Sequence, residues 1–192
     1  MDVIIVVDMQ VGMLDDAPKH DLQGVLDRIN ALTAMVRRGA GKVIWIRHCG
    51  KPGDGFEPHT PGWEFLPALI RRPDDIVVEK SLNDPFVGTS LRTTLADLAP
   101  GRVLVAGWAT DFCVDATVRS CVSGDQHVVV VRDGHTLSDR PHLGAAAVIA
   151  HHNWVWDGLI SNRSIRLATT DELLSEAAAQ PDARIDHPIG PD

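Results

Sequence analysis

Residues 3–10 read Val3-Ile4-Ile5-Val6-Val7-Asp8-Met9-Gln10. Five β-branched residues in a row leave no polar face, the pattern of a strand buried on both sides in a helix-covered parallel sheet. The polar residues that follow mark its carboxyl end. Outward from there the rhythm repeats. Leu22, Val25, Leu26, Ile29, Leu32 and Val36 recur at helical spacing, and Gly39 and Gly41 close that helix. Strands are predicted at 42–48 and 76–78. A helix on Leu91, Leu95 and Leu98 is stopped by Pro100-Gly101, and a strand at 103–106 leads to a helix over 112–122, ended by Gly124. After a strand at 128–131, Asp139-Arg140-Pro141 is expected to open an Ala-rich helix reaching about His152, with Pro141 in its first turn. A last strand at 164–167 and a helix over 173–179 follow, the latter introduced by Thr169 and Glu172 at capping-box spacing. Such alternation implies right-handed crossovers. The expected fold is α/β: a Rossmann-like, three-layer α/β/α arrangement around a mostly parallel sheet of about six strands.

The chain has 192 residues, enough for one self-sufficient domain, expected at 1–180, with a Pro- and Asp-rich, flexible tail at 181–192. Lys and Arg number 18 against 26 Asp and Glu, a net charge of −8, which argues against nucleic acid as a partner and for a small-molecule substrate. No apolar run is long enough to span a membrane, and the N-terminus has neither a basic region nor a small-residue cleavage site. Three widely spaced cysteines make neither a disulfide framework nor a zinc motif. Cys113 and Cys121 are expected on one helix, about 12 Å apart at 1.5 Å per residue and too far to bridge. A reducing, cytoplasmic setting follows as the expectation. The Gly- and Pro-rich segment 50–72 is too long for a simple connection and is expected to serve the site.

Ligands of open α/β sheets bind at the carboxyl ends of the strands. Reading the residues there gives Asp8-Met9-Gln10, then Glu79-Lys80-Ser81, then Gly107-Trp108-Ala109-Thr110-Asp111-Phe112-Cys113-Val114. A carboxylate, an ammonium and a thiol therefore converge on one edge. A thiol at a helix N-terminus beside a cation is expected to ionise more easily and act as a nucleophile. A neighbouring carboxylate can take its proton and return it to a leaving amine. Singly, each residue has a plainer reading: a buried core cysteine, a turn-forming Asp, a solvated Lys. Their joint placement is what points to chemistry. There is neither a GxSxG nucleophile elbow nor a GxGxxG dinucleotide fingerprint.

The stretches DMQ at 8–10, EKSLNDPFVGTSL at 79–91 and VAGWATDFCVDATVRS at 105–120, with DG at 133–134 and DRPHLGAAAVIAHHN at 139–153, resemble the isochorismatase-like cysteine hydrolases, which include nicotinamidases and N-carbamoylsarcosine amidases. The likeness runs from Val3 to about Leu167. It implies an Asp-Lys-Cys triad of Asp8, Lys80 and Cys113, in which Asp8 serves as base and then acid, Lys80 lowers the thiol pKa and Cys113 forms a thioester. It also implies a cis peptide at Trp108–Ala109, with the Ala109 and Cys113 amides facing the oxyanion.

Family members that cleave the vinyl ether of isochorismate do not need the thiol, so retention of Cys113 favours an amide-type C–N bond. Vinyl-ether hydrolysis and a non-catalytic binding or scaffold role are the alternatives. The Asp-x-His pair that holds a metal in nicotinamidases reads His48 and Gly50 here, which counts against nicotinamide. His48, Cys49 and His59 lack a well-spaced further ligand, so no metal or other cofactor is expected. Met13, Trp63, Phe86 and Trp108 are expected to line the substrate pocket, and Arg47, Arg71 and Arg72 to be surface charge. Trp154-Val155-Trp156 and the helix at 145–149 are more apolar than one helix face requires. With the resemblance, they lead to the expectation of a homodimer or larger homo-oligomer.

Overall fold

The computed structural model describes residues 1–14 and 17–179, so the expectation for 181–192 lies outside the described residues. Six strands, β1 (Asp2–Val7), β2 (Lys42–His48), β3 (Ile76–Lys80), β4 (Arg102–Trp108), β5 (Val128–Thr136) and β6 (Ile165–Ala168), form one sheet in the order β3-β2-β1-β4-β5-β6. Every pairing is parallel. Five helices connect and cover them: α1 (Leu22–Arg38), α2 (Leu91–Leu98), α3 (Asp115–Ser123), α4 (Ala145–Asp157) and α5 (Thr170–Ala179).

Strand alternation distributes the apolar side chains between two cores. Ile4, Val6, Trp45, Leu104 and Val129 face α1 and α5, meeting Ile29, Leu32 and Leu173. Ile5, Val7, Ile44, Val105 and Val130 face α2, α3 and α4, meeting Leu95, Val118 and Trp156. The expected three layers are thus present, with β1 and β4 central. No helix among the described residues is long and apolar enough to cross a membrane.

Three boundaries differ from the sequence reading. α4 does not open at Asp139-Arg140-Pro141. Those residues form a turn before it, and the Asp139 carboxylate accepts the Ala145 N–H at 2.8 Å, capping the helix from six residues upstream. The same helix runs beyond His152 and carries both tryptophans. Trp156 is buried and donates to Asp115, whereas Trp154 is 76 % exposed. β5 continues past Val131 through Asp133-Gly134-His135-Thr136 because its pairing is irregular: Val105 pairs with Val130 but Gly107 with His135, so two steps along β4 match five along β5. The capping box at Thr169 is formed, with the Thr169 N–H on Glu172 at 2.8 Å and the Glu172 N–H on the Thr169 hydroxyl at 3.2 Å.

Gly107 of β4 lies in register with Val7 of β1. Its φ of +128° is open only to glycine, and a Cβ there would lie 2.3 Å from the Val7 carbonyl oxygen. Gly107→Ala must shift backbone on a central strand. It is expected to cost about 3 kcal/mol or more, from strain plus overpacking, read as a fall in the urea midpoint.

Candidate active site

The carboxyl ends of β3, β1 and β4 each contribute one reactive side chain. Asp8 follows β1 directly and holds a left-handed backbone, φ +50°, with its N–H on the Ile46 carbonyl at 3.1 Å. Short Asp side chains tolerate that conformation better than most. Lys80 ends β3, in register with His48 of β2. Cys113 lies in a π-helical turn, Thr110–Val114, between β4 and α3. The Trp108–Ala109 peptide before that turn is cis, and the Ala109 carbonyl accepts both the Phe112 and Val114 N–H groups at 3.1 Å.

Lys80 bridges the other two. Its Nζ is 2.6 Å from Asp8 Oδ2 and 3.3 Å from Cys113 Sγ. Both the ammonium and the carboxylate are almost fully buried, and the Asp8 carboxylate interacts with the Cys113 thiol as well as with Lys80. The thiol also donates weakly to Asn83 Oδ1 at 3.7 Å.

The electrostatics differ from the sequence expectation of an easily ionised thiol. Burial pushes Cys113 up to about 12; the Asp8 charge adds to this, and Lys80 opposes it without prevailing. Burial likewise raises Asp8, against the pull of Lys80. Cys113 is therefore held as a thiol, next to a carboxylate more basic than usual. A thiol so held can act as a nucleophile only if its proton leaves as it attacks. Iodoacetamide labelling of Cys113 is expected to be far slower than that of a free thiol at pH 7 and to rise about tenfold per pH unit towards pH 10, as thiolate accumulates. Lys80→Ala removes the one group that favours the thiolate and is expected to slow labelling further. A plateau near pH 8 would contradict the raised value.

Other expected residues divide. Phe86 packs in the same core cluster as Cys113, and Trp108 stacks on Phe56 with ring centroids 5.7 Å apart. Met13 and Trp63 pack the segment 50–72 onto the body. Met13 is a core residue, and the Trp63 ring lies 3.4 Å under the Arg47 guanidinium while its indole N–H meets Cys49 Sγ. Arg47 is occupied by this stacking and by Glu79 at 2.6 Å; Arg71 covers Phe65. His48 turns its ring edge to Phe56 and His59 lies against Trp63, so they and Cys49 do not gather. Among the described residues no three His, Cys, Asp or Glu side chains are placed to hold a metal.

Gln10 has a structural role that its place in the sequence does not disclose. It is fully buried and binds three backbone groups: its Nε2 donates to the His48 and Trp63 carbonyls, and its Oε1 accepts the His48 N–H. It ties the end of β2 and the segment 50–72 to the end of β1. Asn83 and Phe56 also escaped the sequence reading. Asn83 lies only three residues beyond Lys80, the one signal that marked it.

The isochorismatase domain profile matches residues 2–154. The chain belongs to the isochorismatase family. Two streptothricin hydrolases of Streptomyces noursei are 31 % and 30 % identical over 94 % and 100 % of this chain, which spans 64 % of the one and 75 % of the other. The ureidoacrylate amidohydrolase RutB of Methylorubrum extorquens is 24 % identical over 81 % of this chain and 79 % of its own. An isochorismatase-family hydrolase structure from Chromobacterium violaceum superposes with a TM-score of 0.81 at 26 % identity, covering 93 % of this chain and 94 % of that one.

Proposed function

We propose that this isochorismatase-family chain hydrolyses a C–N bond of a small amide-type substrate, with Cys113 as nucleophile, Asp8 as proton shuttle and Lys80 as their electrostatic partner. The observation that carries the reading is the buried bridge of Lys80 between the Asp8 carboxylate and the Cys113 sulfur. The names of the streptothricin and ureidoacrylate relatives support a hydrolase acting on such bonds.

In this reading Asp8 takes the thiol proton as Sγ attacks the carbonyl carbon, and the carbonyl oxygen becomes negative. In the same reading the Ala109 and Cys113 amides at the turn receive that charge, as preorganised donors in a dry site do most effectively. The tetrahedral species collapses when the C–N bond breaks and Asp8 gives its proton to the departing nitrogen, leaving a thioester. Water then attacks with Asp8 again as base; the S–C bond breaks and the thiolate recovers the proton. Lys80 stays beside the sulfur throughout and offsets its charge.

A panel of small amides and ureido compounds, scored for released ammonia or amine, finds the substrate. Acid-quenched turnover mixtures are expected to show enzyme heavier by one acyl group on Cys113. Rapid release with no such adduct at any quench time would count against the thioester. We further propose that a second copy covers the outer face of α4 and the residues after it, where Trp154 and Ile160 are 76 % and 97 % exposed. Light scattering is expected to give a dimer or larger, and a fully active dilute monomer would refute it.

A further inference from the structure

We propose that His135 is a positioning residue for the nucleophile turn, held as the neutral Nε2–H tautomer so that its bare Nδ1 takes the Thr110 hydroxyl and anchors the turn that presents the Ala109 and Cys113 amides. The inference rests on the reading of Cys113 as a nucleophile.

None of the reacting groups described above includes this set, yet it lies directly behind them. Thr110 opens the π-helical turn and its hydroxyl is 2.9 Å from His135 Nδ1. His135 Nε2 is 3.2 Å from Asn153 Oδ1, and Asn153 Nδ2 donates to the Arg132 carbonyl at 3.0 Å. All three side chains are buried, Thr110 and His135 almost completely. The direction of every bond follows from the far end. A backbone carbonyl only accepts, so Asn153 must turn its NH₂ to Arg132 and its oxygen to the ring. That oxygen also only accepts, so Nε2 must carry the proton. Burial holds the ring pKa down at about 4, which leaves Nδ1 bare at neutral pH and the Thr110 hydroxyl as its donor.

The backbone is arranged for this contact. The irregular pairing that extends β5 brings His135 opposite Gly107, two residues before Ala109. Bulges next to active sites commonly re-aim one side chain in this way. The imidazole is then wedged against the Trp156 ring, with centroids 5.1 Å apart, and Trp156 is itself hydrogen-bonded to Asp115 at the start of α3. Both the beginning of the turn and the helix after it are thereby referenced to β5 and α4.

Two reactions of the same sulfur separate positioning of the amides from reactivity of the thiol. In acylation by p-nitrophenyl acetate the Sγ–C bond forms, the ester C–O bond breaks and nitrophenolate leaves; the carbonyl oxygen carries negative charge in between. Alkylation by iodoacetamide at pH 9 displaces iodide and creates no oxyanion. Thr110→Val, nearly isosteric, is expected to slow acylation tenfold or more while leaving alkylation within twofold, and Thr110→Ser is expected to restore acylation. In ¹⁵N spectra the Ala109 and Cys113 amide signals should move in Thr110→Val and return in Thr110→Ser, and the His135 ring should show a protonated Nε2. Unchanged acylation in Thr110→Val, a parallel fall of both reactions, unmoved amide signals or a protonated Nδ1 would each overturn the proposal. If the wild-type thiol is acylated by nothing, the nucleophile reading fails instead, and the amide and ring signals still decide the role of His135.

Discussion

Asp8→Asn is expected to make Cys113 easier to alkylate and the enzyme nearly inactive, two effects of opposite sign from one substitution. The Asp8 charge is among the causes that hold the thiol pKa up, second only to burial, so neutralising it leaves Lys80 opposed by burial alone and lowers the thiol pKa. Iodoacetamide labelling at pH 7 should therefore accelerate. Turnover should fall about 10²- to 10⁴-fold, the usual contribution of a positioned acid–base group, because the asparagine amide can neither take the thiol proton nor deliver it to the leaving nitrogen. Raising the pH is not expected to recover the loss. The variant also leaves the Lys80 ammonium buried beside an uncharged partner, and breaking such a pair costs about 3–5 kcal/mol. Rates must then be compared at a temperature where circular dichroism shows both proteins folded. Slower labelling together with lost turnover would assign Asp8 to holding the site together rather than to moving protons.

Cys113→Ser is expected to lose at least about 10³-fold in turnover of whatever amide the wild type accepts, since a serine hydroxyl is a far weaker nucleophile and removing one member of a catalytic unit costs most of its effect. The substitution is small and the residue is buried among Phe86, Val114 and Val118, so folding should be little changed. The same variant separates the amidase reading from vinyl-ether chemistry. Full retention of turnover on a chorismate-type substrate would show that the sulfur is dispensable. Loss of amide turnover with an unchanged melting curve would fix the chemistry on the thiol and dispose of a purely structural role for the chain.

The parts of this fold that were legible in the sequence are those governed by short-range pattern. The unbroken run 3–7, the helical spacing from Leu22 to Val36 and the stops at Pro100-Gly101 and Gly124 all fall where the elements lie. Strand ends, once located, named Asp8, Lys80 and Cys113 as neighbours, because a parallel sheet aligns its carboxyl edges. What escaped the reading depends on contacts distant in the chain. The segment 133–136 has no strand periodicity and becomes strand only through its irregular pairing with β4. The start of α4 is set by an Asp139 side chain reaching six residues forward, not by Pro141. The sequence points to Met13 and Trp63 as pocket lining under a roof formed by 50–72, and the packing by which they hold that segment to the body becomes visible only in the fold. Asn83, Gln10 and His135 are single polar residues, and a single polar residue has no period to betray it. The thiol pKa was misjudged for a related reason: a nearby lysine is visible in sequence, whereas the depth at which both are buried belongs to the folded chain alone.

Burial of Cys113 also bears on how this protein meets peroxide. Hydrogen peroxide attacks thiolates, and the first product, a sulfenic acid, is the entry to sulfinic and sulfonic forms that do not return. With the thiol pushed up to about 12 by burial, the anion is scarce at pH 7. A buried thiol held protonated in this way is expected to react slowly with oxidants that inactivate proteins with freely ionised cysteines, and a sulfur that gives up its proton only as it bonds to substrate would offer peroxide no free thiolate during turnover. An oxidative challenge is therefore expected to inactivate working protein no faster than idle protein, and either one more slowly than a protein whose cysteine is freely ionised.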